Sequence, residues 1–459
     1  MRNPTCFALL ILIFSWCAPN AEADWNRFRG PDGSGTAEKA VPMEYSVEQN
    51  LKWRTELPGK GVSSPIINGD RIFLTAYTGY GLDMEAPGKP EDLVRHLLAF
   101  DRDTGKEVWR VSVPSEGDED PFQGFITQHG YATSTPTTDG ERVYALMGKS
   151  GLLAVDRNGK ELWRHNLGKK SDQAKWGDAS SPVLVGDVLV VNAGILGRQV
   201  VGLDKLTGEL LWSVEDPGFT NSWSTPAVYQ DGEKTQVLVH FPRKIMGIEP
   251  GSGEVLWFAQ SPITDATSPS VVIHEGVAYL MGGRNGRAMA VALDGRGDVS
   301  ESHVRWTVDL RASITTPVIG DGAIYWASNG IFMAHSLETG ERLYRERLPR
   351  IGAPTGGFPN VDYSSPIMVG GHILQFTRNG ESYVIAPGDQ FKVVAHNAPF
   401  EGDATAFSST PAASDGELFV RSEGYLYSIA PKAMDEAIEK AQEVAEDSAT
   451  QDPEVSALR

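Results

Sequence analysis

Between its apolar segments the chain places, again and again, side chains suited to holding a ligand: His129 and Tyr131, Trp176 and Asp178, Asn221 and Trp223, Arg311, then Asp362 and Tyr363. A second set falls in shorter breaks: Arg243 and Lys244, Arg284 and Asn285, and Arg378. Carboxylates, amides and cations fix a ligand's orientation while aromatic rings supply an apolar wall, which is the make-up of a recognition pocket. The patterns of hydrolytic or metal chemistry are not among them. The nine histidines are scattered with no His-Glu-x-x-His or His-x-His spacing, so neither a zinc nor a haem site is indicated. A Gly-x-Ser-x-Gly elbow is absent, and Gly282-Gly283-Arg284-Asn285-Gly286 sits at a hairpin with no helix after it, so it is not a phosphate loop. No residue is assigned a catalytic or metal-binding role from spacing.

A repeat must position these residues. Two hydroxyl residues precede a proline at Ser63-Ser64-Pro65, Ser134-Thr135-Pro136, Ser180-Ser181-Pro182, Ser224-Thr225-Pro226, Thr267-Ser268-Pro269, Thr315-Thr316-Pro317, Ser364-Ser365-Pro366 and Ser409-Thr410-Pro411. Self-similarity at a period of about 45 residues marks a repeat architecture. Within the second unit, Arg142 to Met147, Leu152 to Asp156 and Lys160 to Arg164 are short runs split by Asp139-Gly140, Gly148 to Gly151 and Asn158-Gly159. Such runs predict four antiparallel strands joined by tight turns, which is one propeller blade. Loops from an outer strand to the next blade and loops joining second to third strands then share one face, and both sets of ligand-type residues gather at one channel mouth.

The most regular turn leads to an aromatic residue: Asp101 to Gly105 precedes Trp109, Gly159 precedes Trp163, Gly208 precedes Trp212, Gly253 precedes Trp257, and Trp306 follows a longer turn. An indole placed between neighbouring sheets removes roughly 150 to 250 Å² from water, an upper bound of roughly 4 to 6 kcal/mol. Trp53, Trp109, Trp163, Trp212, Trp257 and Trp306 are therefore expected to dock blades. The last unit supplies only three strands before Pro431, and Leu51 to Leu57 forms an outer strand without a blade, so the two ends are expected to close one ring.

The form Ala-x-Asp-x-x-Thr-Gly-x-x-x-Trp, complete from Ala99 to Trp109, resembles the docking repeat of the pyrroloquinoline-quinone (PQQ) type propellers. That resemblance implies an all-β, eight-bladed propeller over residues 47–431; the drifted turns leave seven blades as the alternative count. Relatives of two kinds are implied. One is the propeller of the outer-membrane barrel assembly factor, which binds its partner through loops. The other is the quinoprotein dehydrogenases, which need PQQ, a calcium held by Glu, Asn and Asp, a general base and often two adjacent cysteines; by loop position the nearest matches are Asp178, Asn285, Asp362 and Trp223. The favoured expectation is a non-catalytic scaffold binding a protein or extracellular polymer without a cofactor. A PQQ-dependent dehydrogenase acting on an alcohol or sugar is the alternative.

The ends and the composition set the remaining bounds. Arg2, an apolar run from Phe7 to Trp16 and Ala21-Glu22-Ala23 predict a secretory signal over residues 1–23, cleaved after Ala23, hence a periplasmic or secreted protein. Both cysteines, Cys6 and Cys17, fall in it, and the bulky Trp16 before Cys17 argues against a lipid-attachment site. The run is too short to span a membrane. A formal charge of −19 with no basic stripe excludes nucleic acid as a partner. Residues 24–46 form a leader, expected to strap across one face. Residues 432–459 are expected as a short acidic helix and polar tail, and the protein as a monomer.

Overall fold

Short alternating segments cut by glycine, asparagine and aspartate turns build eight antiparallel sheets of four strands each, two of them widened by one short extra strand. The computed structural model describes residues 24–116, 118–232, 234–283, 286–310, 314–349 and 362–431. The expected signal segment, the acidic helix and tail, and the candidate site residues Arg284, Asn285 and Arg311 lie outside the described residues. Eight sheets settle the blade count.

The second blade shows the plan: Thr137–Thr138, Arg142–Leu146, Leu152–Asp156 and Glu161–His165 pair in chain order from the channel outward. Middle strands are covered on both faces, as in Ala323–Ser328, where all six residues are buried. Outer strands alternate, as in Val304–Asp309, because only one of their faces meets a neighbour. The eighth blade takes Ala412–Ser414, Glu417–Arg421 and Tyr425–Ile429 from one end of the chain and Leu51–Glu56 from the other. The ring closes by that antiparallel pairing and has no free sheet edge at the seam.

In every blade the pairing of third and fourth strands slips by one residue at the same point, for example between Gly202 and Leu203 opposite Trp212. A bulge sharpens the local twist and re-aims the next side chain. Here it turns the docking residue toward the following blade. Trp163 lies against Gly208 of the third blade, at φ +73°, where a Cβ would stand 2.5 Å from the indole, and its Nε1–H donates to Lys205 O at 3.1 Å. Trp53, Trp109, Trp212 and Trp306 repeat the arrangement on Gly105, Gly159, Gly253 and Gly340, donating to Arg102, Arg157, Pro250 and Leu337 carbonyls. Glycine is required there because the indole occupies the space a side chain would need and the backbone is left-handed.

Trp257 departs from the pattern. The next blade's turn is expanded and carries Gly297–Asp298, which runs parallel to Val255–Gln260, so the buried Trp257 donates instead to Gln236 Oε1 within its own blade, at 2.6 Å. Tyr344 stands in for tryptophan on the sixth blade, against Phe391 and Tyr325.

The leader is more than a strap. Trp25 O accepts Ile67 N–H of the first blade, Asn26 O accepts Thr138 N–H of the second, and Thr36–Ala37 adds a parallel strand inside the seventh. Between them the buried Arg29 guanidinium enters the channel end and donates to the carbonyls of Ser34, Thr316, Pro317 and Pro366. Burial lowers its pKa to about 9, so it is charged at neutral pH. One end of the channel is plugged.

Trp163→Ala is expected to lower unfolding stability by about 3 kcal/mol, and Gly208→Ala by at least about 1 kcal/mol through the same contact and the forced φ. Chemical denaturation of each variant checks this; an unchanged midpoint for Trp163→Ala refutes indole docking.

Candidate functional site

The innermost strands begin at the proline triplets, and in all blades but the fifth the second triplet residue takes part in blade-to-blade bonding. Ser64 N–H donates to Thr135 Oγ1 (2.9 Å), Thr135 to Ser181 (3.0 Å), Ser181 to Thr225 (3.1 Å) and Thr225 to Ser270 (3.0 Å). The series continues from Ser270 to Thr316 (2.9 Å), Thr316 to Ser365 (3.0 Å) and Ser365 to Thr410 (3.1 Å). In the fifth blade the belt residue is Ser270, two positions beyond the expected Ser268. The strand Val272–His274 sets that register, placing Val271 where other blades have proline. The first hydroxyls of several triplets satisfy backbone carbonyls, as Ser134 does for Ser180 O and Thr315 for Ala327 O.

All eight belt hydroxyls line a well of about 370 Å³ on the channel axis, with Phe28 of the plug also on its wall. The loop face forms its mouth. Trp176 and Trp223 lie there with ring centroids 5.5 Å apart, and Phe125 meets Trp176 edge-on at 4.8 Å. Trp223 Nε1–H donates to Gly177 O at 2.8 Å, which ties the third-blade loop to the fourth. His129 closes the next sector, its Nδ1 at 3.1 Å from Thr133 Oγ1; burial lowers its pKa to about 4, so it is neutral at physiological pH. Tyr363 faces it at 6.4 Å, with the Arg378 guanidinium 5.4 Å from the tyrosine ring centroid. Arg378 donates to Gln128 O at 3.3 Å, binding the seventh-blade loop to the second-blade entry.

The remaining candidates are placed elsewhere. Tyr131 packs among Tyr77, Tyr80 and Phe122 and donates to Asp120 O. Lys244 reaches Asp216 of the third blade and the face of Phe258, while Arg243 is exposed beyond the well wall. Asn221 holds a backbone bridge to Thr267. Asp362 accepts Gly330 N–H at 2.7 Å and fixes the second-to-third strand loop of the sixth blade.

Asp178 turns from the well into a separate cavity of about 20 Å³, beside the Arg95–Glu119 and Lys149–Asp120 ion pairs. Its carboxylate oxygens are buried without a hydrogen-bond partner. Burial pushes its pKa up to about 7, which the nearby amides of Ala179 and Ser180 and the charge of Arg95 offset only in part. A cavity of that size holds one water molecule.

Sequence reasoning located the loops and missed the belt. The signal was the hydroxyl before each proline, which served only to count blades. For a calcium-bound quinone the donors would be carboxylates and amides on the well wall. None of the described wall residues is a carboxylate, Asp362 is committed to Gly330, and Asp178 faces another cavity. No three of His, Cys, Asp and Glu stand together among the described residues. The described residues do not fit that group.

Comparison with known proteins follows the fold. A family model described as outer membrane protein assembly factor BamB matches residues 95–346. BamB from Moraxella catarrhalis superposes with a TM-score of 0.56 at 13% identity, over 83% of this chain and 98% of that one. A europium-containing methanol dehydrogenase gives 0.61 at 11% identity, over 89% and 98%. The quinohemoprotein alcohol dehydrogenase from Comamonas testosteroni gives 0.60 at 13%, over 89% and 81%. At these identities the likeness is one of fold. No curated protein matches in sequence.

Asp178 generates a pH signature. Its ordinary pKa is 3.8 and its folded value about 7, so between them the folded chain keeps a proton that the unfolded chain releases, and stability from this group falls as pH rises through that window. Asp178→Asn removes the dependence: the variant's stability relative to the parent is expected to increase from pH 4 to pH 8 in urea melts. A difference that stays flat over that range overturns the buried carboxylic acid.

Proposed function

Because the chain belongs to the family of the outer membrane protein assembly factor BamB, we propose that it is an exported, non-catalytic binding module that grips a protein or extracellular polymer through the loop face around the channel mouth. One observation carries this reading: the channel holds a well that Phe28 of the leader, the mouth residues Phe125, Trp176 and Trp223 and a belt of hydroxyl residues line together. Such a site suits capture of a protruding segment, with indoles supplying contact area and hydroxyls supplying orientation.

The loop-to-loop bonds Trp223 to Gly177 and Arg378 to Gln128 support the same reading, since they set the mouth in one shape before a partner arrives. A pre-ordered rim lowers the entropy cost of binding. The dense blade-to-blade bonding beneath it gives the rim a rigid base.

Chemical crosslinking followed by affinity capture from the periplasmic fraction is expected to yield a partner whose recovery falls more than about tenfold in a Trp176→Ala, Trp223→Ala variant of unchanged melting temperature. Equal recovery by parent and variant, or none by either, overturns the reading. Titration with PQQ and calcium tests the rival: a bound-quinone absorbance band with dye reduction would replace a binding module by a quinoprotein dehydrogenase.

A further inference from the structure

The belt at the base of the well has donors to spare. Seven of its hydroxyls accept a main-chain N–H from the preceding blade, which occupies one oxygen lone pair and leaves the O–H proton uncommitted. The eighth, Ser64, sits at the seam between last and first blades and receives no N–H among the described residues. None of the eight donates to a protein acceptor among the described residues, yet all eight face the well. Convergent O–H groups are thus presented to whatever lies on the axis.

Two buried arginines stand close to them: at the seam Arg421 donates to Ser63 O and Oγ beside Ser64, with the Glu423 carboxylate acting on it. Arg29 stands beneath the floor, its guanidinium met by four neutral carbonyls, and the carboxylate that acts on it, Asp32, is on the exposed turn outside. No described carboxylate lines the well, and His129 at the mouth is neutral. In a chain of net charge −19, the well wall is free of described carboxylates and is set apart from the acidic exterior by eight sheets. Neutral donors in a low-dielectric pocket are worth most to an acceptor that carries charge.

We propose that the floor of the well is an oxyanion site, in which belt hydroxyls donate to a carboxylate or sulfate group held on the channel axis above Arg29. The proposal rests on reading the well as the binding site, and it names the chemistry of the ligand's leading end: an acidic group, with the apolar or ring-bearing remainder against Trp176 and Trp223. The same indoles report occupancy, because they share the wall with the belt.

Tryptophan fluorescence of the full chain, titrated with sodium sulfate or sodium acetate against sodium chloride at equal ionic strength, tests it. Saturable change with the oxyanions and none with chloride is expected, and the stronger of the two distinguishes a sulfate-bearing ligand from a carboxylate-bearing one. Ser64→Ala removes an inward O–H without orphaning an N–H and is expected to weaken binding about tenfold. Arg29→Gln is expected to abolish it, and if that variant fails to fold, Ser64→Ala decides. Sulfate and acetate behaving as chloride, or affinity unmoved by Ser64→Ala, overturns the oxyanion site. Continued loss of partner capture in the Trp176→Ala, Trp223→Ala variant would then leave the binding module standing, so the two readings fail separately.

Discussion

An indole laid on a neighbour's glycine holds this ring together. A four-stranded blade buries neither face by itself, and its relation to the next blade must be fixed at two radii to prevent splaying. At the rim, tryptophans such as Trp109 and Trp163 seat on Gly159 and Gly208 and hydrogen-bond the same turn. Near the axis, a belt residue's N–H meets the next blade's hydroxyl at seven junctions. One contact is a hydrophobic block and the other a directional bond, and together they define the angle between sheets. The bulge beside each docking residue belongs to the same device, since without the extra residue the indole would face along its own sheet.

The inner contact has a second effect. A hydroxyl that accepts an N–H is oriented with its proton outward, so the bonding that ties blades together also decides what the channel offers a guest. The leader adds to the enclosure, bringing the Arg29 guanidinium to the inner-strand carbonyls and Phe28 to the well wall. Structure and candidate site share the same atoms at the belt and part company only at the mouth, where loop side chains stand free of the blade ladders.

Much of the fold was legible because its constraints recur. Hydroxyl pairs before proline recur in all eight blades and could be counted, glycine before tryptophan recurs at Trp109, Trp163, Trp212 and Trp257, and a last unit one strand short pointed to Leu51–Glu56. Where the constraint was ambiguous or unique, the reading stopped. Ser268-Pro269-Ser270 offers two registers, and only the strand beyond it selects Ser270. Trp257 loses its glycine because the following turn grows a strand of its own. For the site, sequence located loops and not directions: His129, Trp176, Trp223 and Tyr363 face the well, whereas Asp178 lines a different cavity and Lys244 finds Asp216. Side-chain aim depends on packing against residues far away in the chain, which spacing does not encode.

The seam in the eighth blade also imposes an order on assembly. Leu51–Glu56 leaves the ribosome or translocon early and has nothing to pair with until Tyr425–Ile429 is present, so a strand made before the first blade finds its place only after the last one. Closing so long a loop costs little more than closing a short one, because the entropy penalty grows only with the logarithm of length. Until it closes, three strands wait with an unpaired edge that an identical strand from another molecule fits equally well. Tethering gives the chain's own strand an effective concentration of about millimolar or less, so dilute nascent chains seal themselves and crowded ones exchange arms.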